Sequence, residues 1–249
     1  MGTSKNIFRF KRFDVVNERS AMKVNTDGVL LGTLMTVLPS DRRLLDIGTG
    51  TGTIALMAAQ RLSDCMESMH QVSIDAIDID HPSATEAAAN FRNSPWGDSL
   101  RAHHASLDEF TASVQGKEFD LIFSNPPYFD NALNAPEQRR NAARHTSTGL
   151  SYREILDFSS SCLTENGRVA MVLPADTEHD LTRHARMSGL HLHKITRIRT
   201  VPRKAPSRIV AEFSRQLTTS HADTILTIQG GGQYTQEYLD LMHEFYLFA

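Results

Sequence analysis

Residues 44–62 constrain the fold more tightly than any other stretch. Leu44-Leu45-Asp46-Ile47 reads as a short buried strand, and Gly48-Thr49-Gly50-Thr51-Gly52 follows at once. Ile54, Met57, Ala58, Arg61 and Leu62 then fall at helical spacing. The order is therefore strand, glycine loop, helix. Glycines let the backbone come close to a ligand, and a helix N-terminus offers free N–H groups to a carboxylate or phosphate. Gly50-Thr51-Gly52-Thr53-Ile54-Ala55 formally fits the dinucleotide fingerprint G-x-G-x-x-A. That register would carry the strand through Gly48, a poor strand residue. A strand end at Ile47, with three alternate glycines after Asp46, fits better. No Gly-Lys-Ser/Thr closes the run, so it is not a P-loop.

The rest of the chain repeats the alternation. A strand from Val72 ends in Ala76-Ile77-Asp78-Ile79-Asp80, and a helix follows from Ala84 to Phe91. An acid at the end of the second strand is where ribose hydroxyls are gripped in doubly wound folds. Leu100–His104 and Phe119–Ser124 read as strands, with a helix to about Val114 between them. Leu150–Leu163 is helical in pattern, Asn166-Gly167 makes a turn, Arg168–Leu173 is a strand and Asp176–Met187 a helix. Strand-like runs follow at 190–200, 208–213 and 224–228, then a last helix from Thr235 to about Phe245. This pattern predicts a doubly wound, mostly parallel sheet closed by an antiparallel piece. Ligands of such sheets sit beyond the carboxyl ends of the strands, where the strand order reverses.

The strand at 119–124 stops at Asn125-Pro126-Pro127-Tyr128. Proline fixes φ and biases the preceding residue towards extended backbone, which holds Asn125 out at the strand end. An amide, nearby backbone carbonyls and an aromatic ring suit a planar, amino-bearing group; a proline-rich turn is the plain alternative. If the strand order runs out from 44–47 and restarts beside it, Asn125 faces the glycine loop across one crevice.

Bulk properties exclude several classes. The 249 residues are 40% hydrophobic and 22% charged with net charge −3, an ordinary soluble composition. No apolar run approaches the ~20 residues of a membrane span, and Met1–Ser20 lacks a signal's apolar core. Cys65 and Cys162 stand far apart, so neither disulfide nor zinc is expected, and the chain reads as cytoplasmic. Lys5, Arg9, Lys11, Arg12 and Arg19 make the start basic; Lys194, Arg197, Arg199, Arg203, Lys204, Arg208 and Arg215 do the same near the end. Basic ends on a mildly acidic middle can present a positive face to a polyanion.

Asp46-x-Gly48-x-Gly50-x-Gly52, Asp78 and Asn125-Pro126-Pro127-Tyr128, in this order, resemble the class I S-adenosylmethionine-dependent methyltransferases that modify planar nitrogens. Residues 22–32 (Met22-Lys23-Val24-Asn25-Thr26-Asp27-Gly28-Val29-Leu30-Leu31-Gly32), Asn93-Ser94-Pro95-Trp96 and Phe245-Tyr246-Leu247-Phe248 are similar to the bacterial tRNA1(Val) (adenine-37-N6)-methyltransferase family. The resemblance implies a seven-stranded Rossmann-like sheet with an antiparallel C-terminal strand pair. It also implies S-adenosyl-L-methionine as cofactor, tRNA as substrate and no metal. It makes 1–249 one methyltransferase domain, with 1–40 as an extension forming part of the cofactor pocket and 41–175 as the core. Residues 176–249 then close the sheet and offer an RNA contact.

By position, the resemblance places Gly48, Thr49, Gly50 and Gly52 along the methionine part of the cofactor, with Asp46 ordering that loop. Asp78 takes the ribose hydroxyls, Ile79 packs on the adenine, and Lys23 and Thr26 lie near the carboxylate. Ser106 stands where such enzymes usually carry an Asp that accepts from the cofactor's amino group, so cofactor affinity is the property in question. Asn125, Pro126, Pro127 and Tyr128 form the catalytic set, with Asn125 also near the cofactor.

RNA-contact candidates are Lys11, Arg12, Arg139, Arg140, Arg144, Arg199, Arg203, Lys204 and Arg208. His103-His104 and His191-x-His193 lack the Cys or acid that would complete a metal set, and Trp96 reads as a packing residue. Ser159-Ser160-Ser161 has no Gly-x-Ser-x-Gly elbow, so a hydrolase is remote. A protein-glutamine N5-methyltransferase is the runner-up, since the same four-residue site can hold a carboxamide; adenine methylation of another RNA or of DNA stands beside it. A non-catalytic RNA-binding module is the third reading. Nothing demands an oligomer, and a monomer is expected.

Overall fold

The computed structural model describes residues 6–114, 116, 118–127 and 150–249. A hairpin of β1 (Ile7–Arg9) and β2 (Asp14–Val16) leads into α1 (Thr26–Leu34). Then come β3 (Arg43–Ile47), α2 (Thr53–Cys65), β4 (Ser73–Asp78), α3 (His81–Arg92), β5 (Leu100–His104), α4 (Leu107–Thr111) and β6 (Phe119–Ser124). The second half holds α5 (Tyr152–Cys162), β7 (Leu163–Pro174), α6 (Glu178–Met187), β8 (His191–Arg199), β9 (Arg208–Ser214) and β10 (Ala222–Thr227). A small hairpin of β11 (Gln229–Gly230) and β12 (Gln233–Tyr234) precedes α7 (Gln236–Met242).

The main sheet has eight strands in the order β10-β8-β9-β7-β6-β3-β4-β5. Strands β5, β4, β3, β6 and β7 pair in parallel. β9 runs antiparallel between β7 and β8, which gives the expected doubly wound sheet with an antiparallel C-terminal piece. The strand count is one higher than expected. β10 joins the outer edge parallel to β8, with Ala222 opposite Lys194 and Thr227 opposite Arg199. The expected turn at Asn166-Gly167 lies within the span of β7, where the register against β6 slips between Phe119 and Leu121. A Cβ on Gly167 would stand 2.6 Å from the Phe119 carbonyl oxygen, so the residue marks a close backbone approach in an irregular ladder.

The near-continuous apolar runs of the parallel strands follow from burial on both faces. Leu44 packs with α1 and α2 on one face, and Leu45 and Ile47 pack with α5 on the other. β6 alternates in the same way, with Leu121 and Phe123 on the first face and Phe119 and Ile122 on the second. Each such Leu, Ile or Phe contributes ~1.5–3 kcal/mol by leaving water. Below the sheet, Trp96 is a buried packing residue, edge-on to Phe13 at 5.9 Å. Among the described residues no helix is long and apolar enough to cross a membrane.

Residue 11 and the segment 243–249 meet on the first face. Lys11 N–H donates to the Phe245 carbonyl at 2.9 Å, and Lys11 Nζ donates to the carbonyls of His243 (2.6 Å) and Ala249 (2.9 Å).

Candidate active site

Strand order reverses between β3 and β6, so their carboxyl ends lie side by side. Ile47 and Ser124 are register partners, and the Ser124 hydroxyl donates to the Ile47 carbonyl at 2.7 Å. The glycine loop leaves from one of these ends and Asn125 from the other. Gly48, Gly50 and Gly52 all have positive φ (73°, 57° and 82°), a region that side-chain-bearing residues rarely enter. At Gly52 a Cβ would also stand 2.5 Å from the Phe91 ring on α3. The N–H groups of Gly48 and Thr49 both donate to the Ile77 carbonyl, which ties the loop to β4.

Two carboxylates sit against this loop. Asp46 is fully buried; one oxygen accepts from the Thr49 hydroxyl at 2.7 Å, and Oδ1 has no hydrogen-bond partner among the described residues. Burial pushes its carboxyl up to about 7, with the Thr49 hydroxyl opposing that shift and Asp78 adding to it. Asp78 accepts from Gly50 N–H and from Asp80 N–H, both at 2.8 Å. Burial raises its pKa too, partly offset by those two N–H groups. Each Asp78 oxygen keeps a lone pair for a hydroxyl. Ile79, next along, is 73% exposed and offers a bare apolar surface beside the carboxylate.

The facing wall comes from residues 22–25. Asn25 caps α1 by accepting from Gly28 N–H at 2.8 Å. Lys23 Nζ donates to the carbonyls of Asn17 (3.0 Å) and Glu18 (2.7 Å), leaving one N–H for a ligand. Thr26 is exposed on the first turn of α1, outside the cleft wall. The cleft lies between residues 22–25, the glycine loop and Asn125. Asn125 is 9% exposed, Pro126 is buried and Pro127 half-buried. Tyr128, Arg139, Arg140 and Arg144 lie outside the described residues. Ser106 sits in a capping box: its hydroxyl donates to Glu109 Oε2 at 2.9 Å and accepts from Glu109 N–H. One lone pair remains for an amino group.

What holds the facing wall in place is a set of residues that pattern reading did not single out. Glu86 on α3 is 4% exposed and accepts from three successive backbone N–H groups, those of Glu18, Arg19 and Ser20. One turn on, Asn90 accepts from Val16 N–H and donates to the carbonyls of Val16 and Thr51. A single amide thus bridges the N-terminal segment and the glycine loop. The signal was present: Ser83, Glu86 and Asn90 are polar residues at helical spacing in an alanine-rich helix, on the face that is buried.

Of the basic candidates, Arg199, Arg203, Lys204 and Arg208 lie at the carboxyl end of the sheet, on or beside the loop between β8 and β9. Arg208 pairs with Asp27 of α1 at 2.8 Å, and Arg199 donates to the Thr227 hydroxyl at 2.8 Å. Lys11 and Arg12 are placed differently. Lys11 binds the C-terminal carbonyls, and Arg12 pairs with Asp64 near the end of α2, over the Trp96 ring. The end of α2 leads into β4 at the amino end of the strands, so Arg12 lies away from Asn125. No group of three or more His, Cys, Asp or Glu among the described residues could hold a metal ion.

Comparison with known proteins agrees with this fold. The methyltransferase small domain matches residues 20–188. The tRNA1(Val) (adenine(37)-N6)-methyltransferase of Flavobacterium johnsoniae is 39% identical over 242 residues, 97% of this chain and 99% of that one. The protein of the same name from Citrobacter koseri is 38% identical, covering 98% and 96%. Among solved structures, a protein described as a predicted O-methyltransferase from Agrobacterium tumefaciens superposes with a TM-score of 0.61 at 15% identity, covering 88% of this chain and 96% of that one. A 16S rRNA N2 G1207 methyltransferase of T. thermophilus, solved with its cofactor and guanosine, gives 0.54 at 15% identity, covering 86% and 52%. At those identities the solved structures speak for the fold.

Proposed function

Because the chain belongs to the tRNA1(Val) (adenine(37)-N6)-methyltransferase family, we propose that it methylates N6 of an adenine in tRNA, adenine-37 beside the anticodon of tRNA1(Val). The observation that carries the reading onto this molecule is the shared register of Ile47 and Ser124, which sets the glycine loop and Asn125 on one cleft.

S-adenosyl-L-methionine supplies, when bound, an electrophilic methyl group on a sulfonium. The residues present fit it. The left-handed glycines 48, 50 and 52 leave room along the methionine part, and the remaining Lys23 N–H suits its carboxylate, with Thr26 nearby in the chain. Asp46 orders the loop through Thr49. The spare lone pairs of Asp78 take the ribose hydroxyls, bare Ile79 takes the face of the adenine, and the spare lone pair of Ser106 accepts its amino group.

Adenine N6 is a poor nucleophile because its lone pair is delocalised into the ring. The Asn125 side-chain oxygen and the Pro126 carbonyl accept its two N–H bonds, which pyramidalises the nitrogen and turns its lone pair into the cleft. Proline holds both acceptors in place before the substrate arrives. As positive charge grows on nitrogen, these pre-aimed dipoles favour the transition state over the ground state. Holding both reactants in line supplies up to roughly 7–11 kcal/mol in good cases. The methylated nitrogen is acidic and sheds its proton without a dedicated base. Tyr128 stacks on the base, which is splayed out of its loop.

The test is transfer of labelled methyl from the cofactor to total tRNA, 16S and 23S RNA, DNA and protein, followed by mapping. Label on the adenine 3′ of the anticodon is expected. Label on a glutamine side chain, with tRNA bare, would reject this reading in favour of a protein methyltransferase.

A further inference from the structure

The far edge of the same carboxyl end carries a feature that the cleft does not use. After β10 the chain turns through the β11–β12 hairpin, whose tip is Gly231-Gly232, both with positive φ. Two backbone bonds fasten this hairpin to the basic loop after β8: Ile228 N–H to the Arg199 carbonyl (3.0 Å) and Gln229 N–H to the Thr200 carbonyl (2.8 Å). Tyr234 stands opposite Gln229 and is 43% exposed. Its ring stacks on Phe248, itself 57% exposed, with centroids 5.4 Å apart and planes 15° apart. Buried Tyr238 and Tyr246 support the two rings from below, at 5.0 Å and 4.9 Å. The two rings thus rest on a buried aromatic floor and keep about half of their surface exposed.

Cations flank this step. Arg203 and Lys204 are exposed on the attached loop, and neither side chain makes a hydrogen bond or ion pair among the described residues. From β6 the sheet order runs through β7, β9 and β8 to β10, four strand spacings. At ~4.8 Å each, the step lies roughly 19 Å along the sheet from Asn125, a reach of a few nucleotides.

We propose that Tyr234 and Phe248, with Arg203 and Lys204, form a docking edge for unpaired nucleotides of the RNA substrate. One base stacks on the exposed ring pair, and the adjoining phosphates lie against the basic loop. The proposal rests on the tRNA reading above and adds where that RNA is held outside the cleft. Rings that accept any base face, next to unpaired cations, are how single strands are bound without base readout. RNA is favoured over a second copy of the chain because two such edges face to face would oppose Arg203 and Lys204 to their own images.

The test uses the full chain and measures total tRNA binding across a salt series, with cofactor affinity by calorimetry as control. Tyr234→Leu keeps an apolar contact on Tyr238 but removes the ring face. It should weaken tRNA binding about 5- to 150-fold, the equivalent of one lost base stack at ~1–3 kcal/mol. Tyr234→Phe should restore binding, and Phe248→Leu should behave like Tyr234→Leu. Replacing Arg203 and Lys204 by Ala should flatten the slope of log affinity against log salt by about 1.4, at ~0.7 per single-strand phosphate. Cofactor affinity should not move. Wild-type protein that methylates tRNA, with all these variants binding it normally, overturns the docking edge and leaves the activity standing. Variants that lose self-association in sedimentation while keeping tRNA affinity also overturn it. A wild-type chain that neither binds nor methylates tRNA overturns the activity, and the docking edge with it.

Discussion

Ile47 and Ser124 are register partners on adjacent parallel strands, joined by the Ser124 hydroxyl on the Ile47 carbonyl at 2.7 Å. Each is the last residue before a loop of the site, so this bond, at the end of the β3–β6 ladder, helps set how far the glycine loop stands from Asn125. Ser124→Ala should cost about 0.5–1.5 kcal/mol of stability, the net worth of one hydrogen bond. Because position matters more than binding here, kcat should fall by a larger factor than cofactor affinity. Urea unfolding and steady-state kinetics check both; equal losses in the two would show that the bond only stabilises the fold.

Asn125→Ala removes one of the two acceptors proposed for the adenine amino group. Turnover should drop by at least about 100-fold, the scale of losing one pre-aimed dipole. Cofactor affinity should stay near wild type. Turnover near wild type would remove Asn125 from the chemistry.

Asp46 gives the site a pH dependence. Its carboxyl ordinarily titrates at 3.8 and is pushed up to about 7 by burial in the folded chain. The folded state therefore holds a proton that the unfolded state releases, and this group's contribution to stability falls as pH rises from about 4 to 7. A cationic ligand in the cleft favours the ionised carboxylate. Cofactor affinity should therefore rise with pH up to about 7, with protons released on binding. Calorimetry in two buffers of different ionisation enthalpy measures the release. An Asp46→Asn variant releasing as many protons as wild type would assign them elsewhere.

Much of this site was legible in residue order. Left-handed glycines, an acid at the next strand end and an amide before two prolines are local signals, because each is imposed by backbone geometry at its own position. The additional strand β10 was less legible. Four of its six residues, Ala222–Ile225, are exposed, so its pairing with β8 leaves a weak hydrophobic signature. The fate of Lys11 and Arg12 was not legible either. Both are basic and near the chain start, but their partners, His243, Ala249 and Asp64, are distant in sequence and set by tertiary packing.

The buried polar place of Glu86 on α3 was legible, but its partners were not, since they are backbone groups distant in sequence. Glu86→Ala would leave the N–H groups of Glu18, Arg19 and Ser20 without their acceptor. A loss of about 1–3 kcal/mol is expected. Limited proteolysis should then cut first within residues 6–22, and cofactor affinity should fall while Asn125 chemistry at saturation persists. Cleavage elsewhere first, with cofactor affinity intact, would mean that the wall stands without Glu86.

The hydrogen bonds of Lys11 have a consequence for synthesis. Its Nζ partner His243 lies 232 residues away, so the opening hairpin leaves the ribosome long before its acceptors exist. The wall at 22–25 and Val16 of β2 are anchored by α3 partway along the chain, whereas Lys11 waits for residues 243–249. A translating chain therefore has every wall of its cleft, through Asn125, before the turn that carries Lys11 is tied down.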